Sequence, residues 1–169
     1  SRLIGGVQVS GYWGDDVDVS NVRSGRGGVV NVAATIRPTD HLELKLNASR
    51  QWLDVAPPSA GPEGGTQDLR LFTATVQRLK ATYTFTSRIF LRLIGQRVNT
   101  ERDPSLFLFA VPPRDDAFSG SALLAYKLNW QTVLYLGFGD DRSLQPVPSG
   151  GLERIGREYF LKLSYAFQR

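Results

Sequence analysis

The feature that most constrains this chain is an alternation of apolar and polar residues with period two; no long window shows period 3.6. It is clearest at His41–Leu53. There Leu42, Leu44, Leu46, Ala48 and Trp52 share one side, with Arg50 the exception. His41, Glu43, Lys45, Asn47, Ser49 and Gln51 share the other. Phe118–Leu128 and Tyr159–Phe167 repeat the pattern, which is that of a strand with one face in each of two environments. Eight segments read this way, roughly 2–13, 28–37, 41–53, 69–86, 88–99, 118–129, 131–140 and 157–168. The fourth is the longest, and its phase blurs near Thr73–Gln77, which predicts a bulge. All nine prolines fall between the segments, as they must if the segments are hydrogen-bonded, because proline has no N–H to give a ladder.

The connections alternate in length. Pro38–Asp40, Ser87 and Trp130 mark tight turns, whereas Gly14–Gly27, Asp54–Asp68, Thr100–Ala117 and Asp141–Gly156 read as long loops. An antiparallel up-and-down meander places all tight turns at one end and all long loops at the other, within a single domain, 1–169. The longest charge-free stretches are twelve residues, Leu3–Gly14 and Leu128–Gly139, too short for a spanning helix of about 20 residues. A net charge of +4 with no basic run argues against nucleic acid. The absence of Cys and the single His remove thiol chemistry and two-His metal sites. No GxSxG or HExxH occurs, and His41 reads as a solvated turn residue. The expectation is a protein that is not an enzyme and holds no cofactor. Ser1 in place of Met predicts a removed leader or a longer parent chain.

Four features turn the apolar face toward lipid. The strands suit the 9–11 tilted residues that cross a bilayer. Tight turns at one end and long loops at the other match outer-membrane barrels. Aromatic residues gather at the strand ends: Trp13 and Trp52 near the long loops; Tyr83, Phe85, Tyr126, Trp130, Tyr165 and Phe167 near the tight turns. Amphipathic rings favour both interfaces. Finally, the chain closes on an amphipathic strand. The rival is a soluble carrier with the apolar face inward: Gly11-Tyr12-Trp13 resembles a lipocalin signature, although no segment after the eighth strand reads as the lipocalin helix.

The segments Ser87–Arg92, Arg97–Pro104, Tyr126–Leu134, Gly137–Asp141 and Phe160–Phe167 carry a family resemblance. They are similar to the C-terminal barrel of an uncharacterised Gram-negative outer-membrane family that joins a carbohydrate-binding-like module (family 9 type) to a barrel. The resemblance covers about residues 80–169. It implies an outer-membrane location and no established catalytic residues. It also implies contact with outer-membrane lipid and lipopolysaccharide, and carbohydrate binding through an upstream module. The closing strand, with Lys162, Ser164, Tyr165 and Phe167, resembles the signal read by the barrel assembly machinery, except that Gln168 and Arg169 follow the final aromatic.

With phase set by the apolar face, Arg37, Lys45, Arg78, Lys80, Arg88, Arg92, Lys127 and Lys162 point inward against Glu43 and Glu158, an excess of six positive charges. A dry eight-stranded interior penalises unpaired charge by several kcal/mol per ion. A segment of a wider, wet barrel is therefore favoured over a closed eight-stranded one. The basic row would bias a pore toward anions. Asp15-Asp16, Asp115-Asp116 and Asp140-Asp141 are weak loop candidates for a cation site without EF-hand spacing. The apolar run Leu106–Val111 within a loop would fold into the mouth, pack on a partner or extend a strand. The reading is an outer-membrane scaffold or conduit. The alternatives are a small closed barrel for surface binding or adhesion, and a soluble lipocalin-like carrier.

Overall fold

The computed structural model describes residues 4–56, 68–144 and 151–167. Eight strands follow in order: β1 (Ile4–Asp18), β2 (Arg23–Thr39), β3 (Leu42–Val55), β4 (Leu69–Thr86), β5 (Ile89–Arg102), β6 (Arg114–Lys127), β7 (Thr132–Leu144) and β8 (Leu152–Tyr165). They form one antiparallel sheet in which every strand pairs with its sequence neighbours. Each tight turn is closed by one device. Thr39 and Thr86 through Oγ1, and Asn129 through Oδ1, accept the backbone N–H groups two and three residues ahead, at 2.8–3.3 Å. Such side-chain acceptors mimic a backbone turn and reverse the chain in the fewest residues.

The strands span thirteen to eighteen residues; β4 has the bounds the alternation predicts, and most of the others run further toward the loops. The expected loop Gly14–Gly27 is instead a continuous β1–β2 ladder, from Ile4↔Arg37 to Asp18↔Arg23. A four-residue turn, Val19–Val22, closes it. Buried Asp18 pins this turn, accepting from the Ser20 N–H at 3.0 Å and from Arg23 Nε at 2.9 Å. Val22 there takes φ 47°, a left-handed conformation that costs a β-branched residue free energy. β6 and β8 likewise begin at Arg114 and Leu152 rather than near 118 and 157. These extensions carry charged residues on both faces, so the ladder continues where the apolar–polar alternation stops. Most of the expected loop 54–68 lies outside the described residues, as do Gln168 and Arg169; of the expected loop 141–156 only 145–150 do, and the ends of β7 and β8 take up most of the rest.

The expected bulge at Thr73–Gln77 is absent, because β4 pairs without a shift there. The shifts fall at Leu53/Asp54 opposite Phe72/Arg70, and between Thr84 and Thr86. The phase blurs at Thr73–Gln77 because the apolar row turns polar as the strand continues toward the loops.

Direct partners in an antiparallel ladder share a face, so the register assigns every residue to one of two faces. One carries Val7, Val9, Leu44, Leu46, Leu79, Leu93, Leu124, Leu136, Leu161 and Leu163. The other carries Gln8, Ser10, Asn31, Asn47, Ser49, Arg78 and Gln96, which together line a hollow of about 460 Å³. That hollow reaches from β1 to β5. In a flat sheet these strands would stand about 19 Å apart, so the sheet curls here with its polar face inside.

Very little is packed away. Among the described residues the buried apolar side chains are Leu53, Val55, Leu71, Leu106 and Ala125. The leucines and valines of the apolar face stay open: Val7 is 71% exposed, Leu161 71% and Leu163 64%. Among the described residues β1 and β8 do not pair with each other, so the sheet has two free edges.

Candidate functional site

The polar face gathers the basic residues. Lys45, Arg78, Lys80, Arg92, Lys127 and Lys162 all fall on it by register. Arg88 does not, because it sits in the tight turn before β5, where its carbonyl accepts the Lys127 N–H at 2.8 Å. Glu43 holds two of these cations' neighbourhoods together, accepting from Arg37 at 2.6 Å and lying 3.1 Å from Lys45 Nζ. Among the described residues no carboxylate is within ion-pair distance of Arg78, Lys80, Arg92, Lys127 or Lys162. Lys45 stands directly opposite Lys80, an arrangement that destabilises a dry sheet and is tolerated where water fills the space. Arg92 lies over the Phe90 ring at 5.6 Å.

At the loop end the polar face is covered. The β5–β6 connection turns through a 3₁₀ segment, Pro104–Leu106, whose Asp103 side chain caps the Ser105 N–H at 3.0 Å. This drives Leu106 onto Leu53, Val55 and Leu71, with Phe72 and Phe107 beside them. The Leu106 carbonyl accepts from Arg23 at 2.6 Å and from Asn21 at 3.3 Å, tying the loop to the β1–β2 turn. Of the fates open to the run 106–111, its first two residues fold into the mouth, and Leu108 and Phe109 remain exposed.

The apolar face is bounded by aromatic residues. Trp13 and Trp52 both pair with Gly28, and the Trp52 indole occupies the space a Cβ would need there. Tyr83–Phe85 and Tyr165–Phe167 form matching edge-to-face pairs at 4.8 Å, and Tyr126 is on the same face. Trp130 is in the β6–β7 turn, at the opposite end from Trp13. Alternation among the strand ends missed Phe118, Phe138 and Tyr159, which extend the loop-side row. Their signal was a position in the apolar phase next to a charged residue of that phase, Asp116, Asp140 or Arg157.

The two aromatic borders run obliquely. Direct partners lead from Trp13 through Gly28, Trp52, Thr73 and Glu101 to Arg114. On β6, however, the border is Phe118, four residues nearer the tight turns. On β7 and β8 it is Phe138 and Tyr159, four nearer again. The turn-side border drifts alike. Tyr83 is in register with Leu91, Leu124, Leu136 and Leu161, yet the aromatics of β6 and β8 are Tyr126 and Tyr165. Both borders slip by about one residue per strand, which for a rise of about 3.4 Å and a spacing of about 4.8 Å inclines the strands by about 35°. Arg50, the exception in the third strand, stands beside the Trp52 border.

The acidic pairs do not converge. Asp15-Asp16, Asp115-Asp116 and Asp140-Asp141 lie within strands rather than loops, and adjacent residues of a strand point to opposite faces. Asp116 accepts two hydrogen bonds from Arg97, at 2.9 and 2.5 Å, and Asp115 pairs with Arg102. Among the described residues no group of three metal-ligating side chains forms. His41 is an exposed turn residue whose Nδ1 lies 2.8 Å from the Thr84 carbonyl. Comparison with protein-family models, curated proteins and solved structures finds no match.

Proposed function

We propose that this chain is a transmembrane β-barrel, or the C-terminal segment of a wider one, in a bacterial outer membrane, where it serves as scaffold or conduit rather than as an enzyme. One observation carries the reading: the apolar side chains are exposed on one face, and among the described residues only a small cluster is buried, at one end. A water-soluble sheet of this size needs an apolar interior, and so large an open apolar surface in water is an aggregation hazard. Lipid removes both difficulties. The oblique aromatic borders support the same reading, because membrane barrels tilt their strands by about 35–45°. A lipocalin-like carrier would turn its leucines toward the hollow, which here is lined by Gln8, Asn31, Asn47, Arg78 and Gln96.

The basic polar face then lines a wet lumen that favours anions, and the loop anchored by Leu106 narrows its mouth. The closing strand is the segment presented to the barrel assembly machinery, and a carbohydrate-binding module upstream completes the family reading. Heat-modifiable migration on cold SDS gels and extraction only by detergent test the barrel. Conductance in planar bilayers separates a conduit, which passes more anion than cation, from a silent scaffold.

A further inference from the structure

All four lysines of the chain, Lys45, Lys80, Lys127 and Lys162, are on the polar face. On the apolar face the only cations among the described residues are arginines: Arg50 beside Trp52, Arg26 and Arg70 on the loop side of Trp52, and a denser group on β5–β8 directly on the loop side of the aromatic border. Arg97 and Arg114 share Asp116, whose side chain is 4% exposed. Arg142, Arg154 and Arg157 share Asp140, whose side chain is 9% exposed, at 2.8, 2.8 and 3.4 Å. The arginine side chains themselves are left 41–50% exposed. Arg97, Phe118, Arg142 and Arg154 are direct partners across four strands, so the cations form a row rather than a scatter. Counting Glu101, which stands opposite Arg114, five arginines meet three carboxylates, and the strip keeps an excess of two positive charges.

Beside this row the apolar face is hollowed. The space over Gly95, which brings no side chain, is bordered by Leu46, Leu79, Phe118 and Leu152 with Arg97 and Arg78 at its rim, a depression of about 650 Å³, and Gly120, the direct partner of Gly95, brings no side chain either. A pinned row of guanidinium groups above an apolar depression is complementary to an amphiphile with an anionic head. Guanidinium is the side chain suited to two-point hydrogen bonding of phosphate, which ammonium does not match.

We propose that this strip is a docking site for a phosphorylated lipid of the leaflet at the loop end, its phosphomonoester on Arg97, Arg142 and Arg154 and an acyl chain over Gly95 and Gly120. The inference rests on the membrane reading above and names its lipid contact. Each acidic residue pre-positions its arginines, so little side-chain freedom is lost when phosphate arrives.

The test is native mass spectrometry of the full chain, refolded in detergent, with diphosphoryl lipid A and with its dephosphorylated form. The wild type is expected to prefer the phosphorylated lipid by roughly ten-fold or more, and excess inorganic phosphate should not displace it. R97Q/R142Q/R154Q should abolish that preference. It leaves Arg114 on Asp116 and Arg157 on Asp140, so neither buried carboxylate loses its last partner. G95L, which fills the depression, should weaken both lipids alike and leave their ratio unchanged. K80Q/K127Q on the polar face should change nothing. Equal affinity for the two lipids, displacement by inorganic phosphate, or an equal loss in K80Q/K127Q would overturn the site. Heat-modifiable migration of the same sample reads the membrane proposal separately. A chain that migrates as a barrel without lipid preference loses this site alone. A chain that shows the preference but no barrel-like migration keeps the site and loses the membrane reading.

Discussion

Neighbouring residues on β8 give the sharpest contrast at the scale of single side chains. Leu163 and Lys162 are adjacent and both exposed, so a water-soluble protein would tolerate change at either. If the apolar face meets lipid, Leu163→Arg should destabilise the chain by about 2–4 kcal/mol, because the charge enters near mid-membrane. Lys162→Ser, on the wet face, should stay within about 0.5 kcal/mol. Urea titration in lipid vesicles measures both, and equal effects would defeat the two-faced reading. A second residue prediction concerns Gly28. A Cβ there would fall 2.5 Å from the Trp52 ring, so Gly28→Ala should push the indole off its seat, seen as a shift in tryptophan emission. The faces of these residues were legible in the sequence, because period two is a local property that the ladder merely propagates. Arg50 was not: its place at a border depends on the inclination of the strands, which only the register reveals.

At the scale of elements, the sequence placed eight strands and three tight turns correctly but ended the strands too early at the loop side. The cause is physical. On the proposed reading, the alternation within the belt reports two solvents, lipid and water. Beyond it both faces would be wet, and the ladder continues through pairs such as Asp18–Arg23 and Asp54–Arg70, which carry no apolar period. The inward turn of the β5–β6 loop was equally hidden, since an apolar run such as 106–111 has no periodicity to say where it packs. Leu106→Ala tests that packing. The residue is 3% exposed against Leu53, Val55 and Leu71, and its truncation should cost about 2–5 kcal/mol of local stability. Limited proteolysis in 107–111 should accelerate, and, if the chain is the proposed barrel, heat-modifiable migration should persist while any bilayer conductance rises.

For the whole molecule the proposed membrane reading requires partners for the two edges left free among the described residues, since a bilayer leaves no backbone N–H without a partner. Continuing the drift of one residue per strand across a β8–β1 seam would set Val9 opposite Leu163 or Tyr165. Arg78, Lys80, Arg92, Lys127 and Lys162, which have no carboxylate within ion-pair distance among the described residues, favour a wider, wet barrel on that reading, so V9C/L163C and V9C/Y165C are expected to form no disulfide within one chain under oxidation. A bond within the monomer in either variant would instead establish an eight-stranded closure. The open apolar face has one more consequence. A packed core demands that a residue be both apolar and of the right shape, and a truncation there leaves a void. Lipid tails are liquid and flow into whatever space a shortened side chain vacates. If the apolar face meets lipid, solubility and fit are therefore separate demands for Leu93 or Leu161, and only the first applies. On that reading the chain can change its contours freely along most of its apolar surface while its affinity for oil holds the fold.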